Sequence, residues 1–190
     1  MMRFLILFTA CFLLSFSMPN SSINTKGEMV WNKNRLLVWS DFRKKASTYE
    51  IAGDAALTAT SIQVGTSLLD KDLTITVVAK FYPYQSWTVK SKQSDELLHH
   101  EQLHFDITEL IARQLRKELL ETIQTKKDYS KMKHTVETFM NKWDEIQDLY
   151  DDESDHNRNE AGQVKWNKFV VEELEKYSEY QQTELKIILK

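Results

Sequence analysis

Residues 73–82 set the clearest rhythm in the chain. Leu73, Ile75, Val77, Ala79 and Phe81 interleave with Thr74, Thr76, Val78, Lys80 and Tyr82. A period of two is that of a strand with one buried face, and Pro83 ends it. Residues 36–39 and 57–64, rich in Leu, Val, Thr and Ile, predict two earlier strands, with 65–72 as a turn region. After Ser94 the period becomes helical. Ser94 is a good N-cap, Asp95 and Glu96 suit the first turn, and Leu103, Ile107, Ile111, Leu115 and Leu119 recur every fourth residue. This predicts a helix from 94 to about 127. A second helix begins near Ser130 with Val136, Phe139, Met140, Trp143 and Ile146 on one face. An acidic loop is expected over 148–160, followed by a third helix carrying Trp166, Val170, Leu174 and Tyr177. The expected fold is α+β. Its N-terminal, β-rich half holds a small antiparallel or mixed sheet, and its C-terminal half is helical.

The first residues are set apart from that fold. Arg3 precedes an almost unbroken apolar run over 4–16, shorter than the about 20 residues of a membrane-spanning helix. Ser15 and Ser17 stand where a signal peptidase needs small residues, so 1–17 reads as a signal peptide and 18–190 as one domain. The mature chain is then expected to be secreted or periplasmic. Membrane association follows only if the segment is retained, or is lipidated at Cys11. Cys11 is the chain's single cysteine, so the mature protein has no disulfide and no thiolate ligand. A net charge of -3 argues against a nucleic-acid partner.

Chemistry concentrates in His100-Glu101-Gln102-Leu103-His104. Two histidines four apart on a helix lie on one face and can hold one Zn²⁺. Bound zinc lowers the pKa of a water to about 7, and Glu101 is placed to act as its general base. His99 points about 100° away from His100 and reads as a surface residue or one that supports a ligand from behind. A catalytic site needs a third ligand and an open position. Ile107 and Leu110 exclude the spacing that would supply another His from the same helix. The best later segment is Tyr150-Asp151-Asp152-Glu153-Ser154-Asp155-His156, which combines a histidine with dense carboxylates. Its alternative reading is a solvated acidic loop.

Three stretches resemble a bacterial family of predicted secreted zinc-dependent proteases, a domain-of-unknown-function group. They are Val38-Trp39-Ser40-Asp41-Phe42 with 56–61, then the motif extended through Phe105-Asp106-Ile107, then 150–156 with Gln163 and Trp166. The resemblance implies a zincin-like domain and favours His156 as third ligand beside His100 and His104. Ser154 stands where similar sequences have Thr, and Leu103 where they often have Gly. Asp106 and Asp151 are candidates to orient ligating histidines, and Tyr150 to donate to an oxyanion. Trp39, Trp143 and Trp166 are expected in the core.

The expected activity is that of a zinc-dependent metallopeptidase acting on a peptide or protein substrate. The competing expectation is a secreted binding or structural protein holding a structural zinc or no metal. A fourth protein ligand, such as Asp151 or Glu153, would close the site and favour that second role.

Overall fold

The computed structural model describes residues 27–48, 50 and 55–190. The segment expected to be a signal peptide lies outside them. Six strands are present among the described residues: β1 (Met29–Val30), β2 (Ala56–Leu57), β3 (Thr60–Leu69), β4 (Asp72–Phe81), β5 (Trp87–Thr88) and β6 (Glu184–Ile188). Helices α1 (Asp95–Thr122), α2 (Lys126–Tyr129), α3 (Met132–Ser154) and α4 (Glu160–Lys176) accompany them among the described residues. The architecture is α+β, and every pairing among the described strands is antiparallel. No described helix is long and apolar enough to cross a membrane.

The period-two segment forms β4, the centre of the main sheet. β3 pairs with its full length on one edge. The other edge is shared between β6, along Asp72 to Thr76, and β1, at Lys80 and Phe81. Leu73, Ile75, Val77, Ala79 and Phe81 are at most 1% exposed, because α1 lies across that face. A second, two-stranded sheet joins β2 to β5.

The strand expected over 36–39 is absent. Leu37 is buried, Leu36 and Val38 face solvent, and Trp39–Asp41 closes a 3-10 turn instead. Asp41 stabilises the turn by accepting from the Val38 N–H (2.9 Å) and from Arg35 (2.8 and 2.9 Å). The Trp39 ring packs at a tilt against Phe42, and Phe42 edge-on against Phe81, so this segment packs on the core as expected. The expected turn at 65–72 is mostly strand. β3 continues to Leu69 and reverses at Asp70, whose φ is 55°. Gly65 sits mid-strand because a Cβ there would lie 2.7 Å from Thr76 Oγ1.

Ser94 caps α1 as expected, its hydroxyl accepting from the Leu97 N–H at 3.1 Å. The helix ends at Thr122, short of 127. The i+4 stripe is buried, but the sides of the helix away from that stripe are buried too, because α3 and α4 pack across from the sheet. Trp143 and Trp166 fill that second layer, at 7% and 5% exposure. α3 runs on to Ser154, so Tyr150 and Asp151 stand on a helix where a loop was expected.

Candidate metal centre

α1 and α3 bring three donors together. His100 and His104 lie one turn apart on α1, and Asp151 reaches them from the last turn of α3. The two Nε2 atoms are 3.2 Å apart, and Asp151 Oδ1 is 3.2 Å from the first and 3.1 Å from the second. This His100–His104–Asp151 group can hold a metal ion. Tetrahedral bonds of 2.0–2.1 Å place neighbouring ligand atoms about 3.3 Å apart, which is the spacing found.

The protonation pattern supports a cation at this point. His104 Nδ1 faces Gln147 Oε1 at 2.6 Å, and His100 Nδ1 faces Gln163 Oε1 at 3.3 Å. The amides are held that way round. Gln147 Nε2 donates to the His104 carbonyl (2.9 Å) and Thr108 Oγ1 (3.1 Å), and Gln163 Nε2 to Asn167 (3.0 Å). Each imidazole therefore donates from Nδ1 and turns an Nε2 lone pair inward. Asp151 Oδ1 is buried with no hydrogen-bond partner. Three acceptors converge with no donor between them, and such a group calls for a cation.

Without a metal, that cation is a proton. Burial alone pulls the His104 imidazole down, but Asp151, with Glu101 and Gln147, outweighs it and pushes the group up to about 9. Burial likewise raises Asp151, and the two imidazoles more than reverse this, holding it well below the usual carboxylate range. A folded histidine pKa above the unfolded value contributes stability that is complete below pH about 6.5. That contribution is lost as pH rises through about 9. Asp151 acts oppositely, contributing above its unfolded pKa of about 3.9 and losing that contribution as pH falls through its depressed folded value. In chelator, the thermal midpoint should therefore fall between pH 6.5 and 9, read by circular dichroism. A midpoint that holds or rises across that window would show that His104 is not charged there.

Glu101 is 4% exposed, beside this group. Burial pushes its carboxyl above the ordinary range, against the pull of His104, His100 and the Thr58 hydroxyl. Tyr150 is fully buried behind the histidines, its ring 4.7 Å from His100 and 4.8 Å from His104. Burial raises its phenol far up, so it remains a donor. Its one proton goes to Gln163 Oε1 (2.8 Å), with the His100 carbonyl at 3.3 Å. It therefore supports the imidazoles from behind, and its proton is spent away from any oxyanion.

The other expected site residues are placed differently from the sequence reading. His156 lies past the C-cap of α3, its side chain 57% exposed and its Nδ1 3.6 Å from Asp151 Oδ1. The structure groups Asp151, and not His156, with the two α1 histidines. The cause is the length of α3, which aims Asp151 inward and leaves His156 at the rim. There Asp155, His156 and Asn157 are consecutive left-handed residues, with φ of 49°, 50° and 73°. Asp106 reaches neither imidazole. Its Oδ1 accepts from Trp31 Nε1 (2.7 Å) and Gln102 Nε2 (2.8 Å), and Gln102 in turn accepts from the Leu37 N–H (2.7 Å). That chain straps the N-terminal segment onto α1. Glu153 faces α4, bonded to Trp166 Nε1 and Lys165, both at 2.7 Å.

The orienting role expected of Asp106 falls to Gln147 and Gln163. Gln163 stood in the stretches carrying the resemblance, whereas no sequence signal distinguished Gln147 from other polar residues of α3. Gly162 sets the approach of α4, since a Cβ there would collide with the Glu153 carbonyl. Gln147→Leu should weaken metal binding about 10- to 100-fold while leaving the fold intact. Competition against a chromophoric chelator measures this, and an unchanged affinity would remove Gln147 from the site.

Fold and site together define an α+β protein with a partly buried His–His–Asp group able to hold a metal. Residues 74–157 match the family described as "Bacterial protein of unknown function (DUF922)". The match spans most of β4, then α1 to α3 and the rim loop, so it contains His100, Glu101, His104, Asp151 and His156. Thr58 and Gln163 lie outside it. No curated protein and no solved structure matches the chain.

Proposed function

We propose that this chain is a secreted zinc-dependent hydrolase that cleaves peptide bonds. The observation that carries the reading is the three-donor group with a buried carboxyl, Glu101, beside it. Two neutral imidazoles and one carboxylate form a donor set used by catalytic zinc sites, and they leave a fourth position. Glu153 is engaged with α4 and does not fill that position. When bound, zinc would supply a Lewis acid that polarises the substrate carbonyl and acidifies a water. Glu101 takes a proton from the attacking water and passes it to the leaving nitrogen, so water is added across the C–N bond. His100 and His104 stay aligned through Gln163 and Gln147.

The sheet supports a peptide substrate. β4, the obvious strand in the sequence, has both edges occupied. β3 has a free outer edge. Val89 N–H donates to the Ala55 carbonyl (2.8 Å), and Tyr82 N–H to the Ala59 carbonyl (2.9 Å). Main-chain groups alternate sides along a strand, so those of Ala56, Thr58 and Thr60 face away from β5 and β4. They run beside the stretch of α1 that carries Glu101, where an extended peptide can add as a further strand.

The test is zinc content and casein hydrolysis by the metal-replete protein, with and without chelator. About one zinc per chain and chelator-sensitive cleavage is the expected result. Stoichiometric zinc without turnover of any peptide substrate would favour a structural metal, with His156 drawn in from the rim as a fourth ligand. No zinc would refute the reading.

A further inference from the structure

Thr58 occupies the two-residue break between β2 and β3, both of which pack against α1. The Thr58 hydroxyl is buried with no hydrogen-bond partner, and it counters the burial that raises the Glu101 carboxyl. Neighbouring bonds hold the residue in place. Leu57 pairs with Trp87. The Ala59 N–H donates to Ser86 Oγ (2.9 Å), and the Ala59 carbonyl accepts from Tyr82 (2.9 Å). The Thr60 and Thr108 hydroxyls meet at 2.9 Å, joining the start of β3 to α1 one turn beyond His104. A β-branched residue in such a setting has little rotamer freedom. Buried hydroxyls are normally paired, and one held unpaired beside a buried carboxyl has a partner to gain.

We infer that Thr58 is a positioning residue for Glu101: its hydroxyl donates to one carboxylate oxygen and leaves the other turned toward water and substrate. A small rotation of either group completes the bond. A general base works through one correctly aimed lone pair, so fixing the second oxygen orients the first. This assignment rests on the hydrolase reading of Glu101.

The test uses the full mature chain with glutamate ¹³C-labelled at the carboxyl carbon, the Glu101 resonance being assigned by its loss in Glu101→Gln. In metal-free protein, Thr58→Val should move that resonance, and Thr58→Ser should leave it near its wild-type position. Thr58→Ala makes the same deletion if Val does not fold. An unmoved resonance in the hydroxyl-free variants would overturn the assignment. In zinc-loaded protein acting on casein, Thr58→Val should lower kcat about tenfold with KM and zinc content unchanged, and Thr58→Ser should restore it. An unchanged kcat would also overturn it. Wild-type protein that binds zinc and turns nothing over would defeat the hydrolase reading, and the resonance alone would then decide the Thr58–Glu101 contact.

Discussion

Glu101→Gln is expected to keep its zinc and lose turnover by about 10²–10⁴-fold, the usual contribution of a positioned general base. The substitution is nearly isosteric at a position only 4% exposed, so the helix and both imidazoles keep their places. What disappears is the lone pair that accepts the water's proton. Glu101 is not among the three donors, so metal content should not change. His100→Ala provides the contrast. It removes a donor and should lose metal and activity together. Turnover within a few-fold of wild type in Glu101→Gln would sink the mechanism and leave the metal centre standing.

Glu109→Ala should produce the largest loss of stability, through a network on the opposite side of α1. Glu109 accepts from Arg113 Nε (2.9 Å) and from Arg116 Nη1 (2.9 Å) and Nη2 (3.1 Å). Arg116 is fully buried and also bonds the Val77 carbonyl (3.0 and 2.8 Å) and the Tyr180 carbonyl (2.9 Å). Arg113 reaches the Leu174 carbonyl (2.7 Å) and lies 5.2 Å from the Trp31 ring. One carboxylate therefore balances two guanidinium groups that tie α1 to β4, to the end of α4 and to the turn at Ser178–Tyr180. Removing it leaves two buried cations without a counter-charge, at a cost of about 3–5 kcal/mol. For a domain of this size the thermal midpoint should drop on the order of 10 °C. Calorimetry reads the change directly, and a midpoint within a degree of wild type would mean that water replaces the carboxylate. Zinc binding by the folded fraction should survive, because none of the three donors is altered.

How much of this was legible in the sequence depended on how local each determinant is. β4 and α1 were readable because strand alternation and helical recurrence are written in consecutive residues. The Ser94 cap was readable for the same reason. The C-terminal strand β6 was missed although Leu185, Ile187 and Leu189 alternate there, since five residues at a chain end give little periodicity. The 36–39 segment was misread because β-prone residues also suit a turn once Asp41 supplies the hydrogen bonds. Gly65 looked like a turn glycine, and only the pairing of β3 with β4 shows that it answers Thr76 across the sheet. The acidic composition of 148–160 suggested a loop, and the packing of Tyr150 on the two histidines and on Trp166 kept it helical through Ser154.

The sequence by itself determined the α+β class, the motif helix, and the pairing of His100 and His104 on one face with Glu101 between them. Those follow from helix geometry, which relates residues a few positions apart. Tertiary structure decided the rest of the site. Whether Asp151 or His156 becomes the third donor depends on where α3 stops. Whether Asp106 or the two glutamines orient the imidazoles depends on which elements pack against which side of α1. Gln147 reaches His104 across 43 positions of chain, and Gln163 reaches His100 across 63. Contacts of that span leave no periodic trace in a single sequence, because they are set by the burial of apolar faces elsewhere and only then brought within bonding distance.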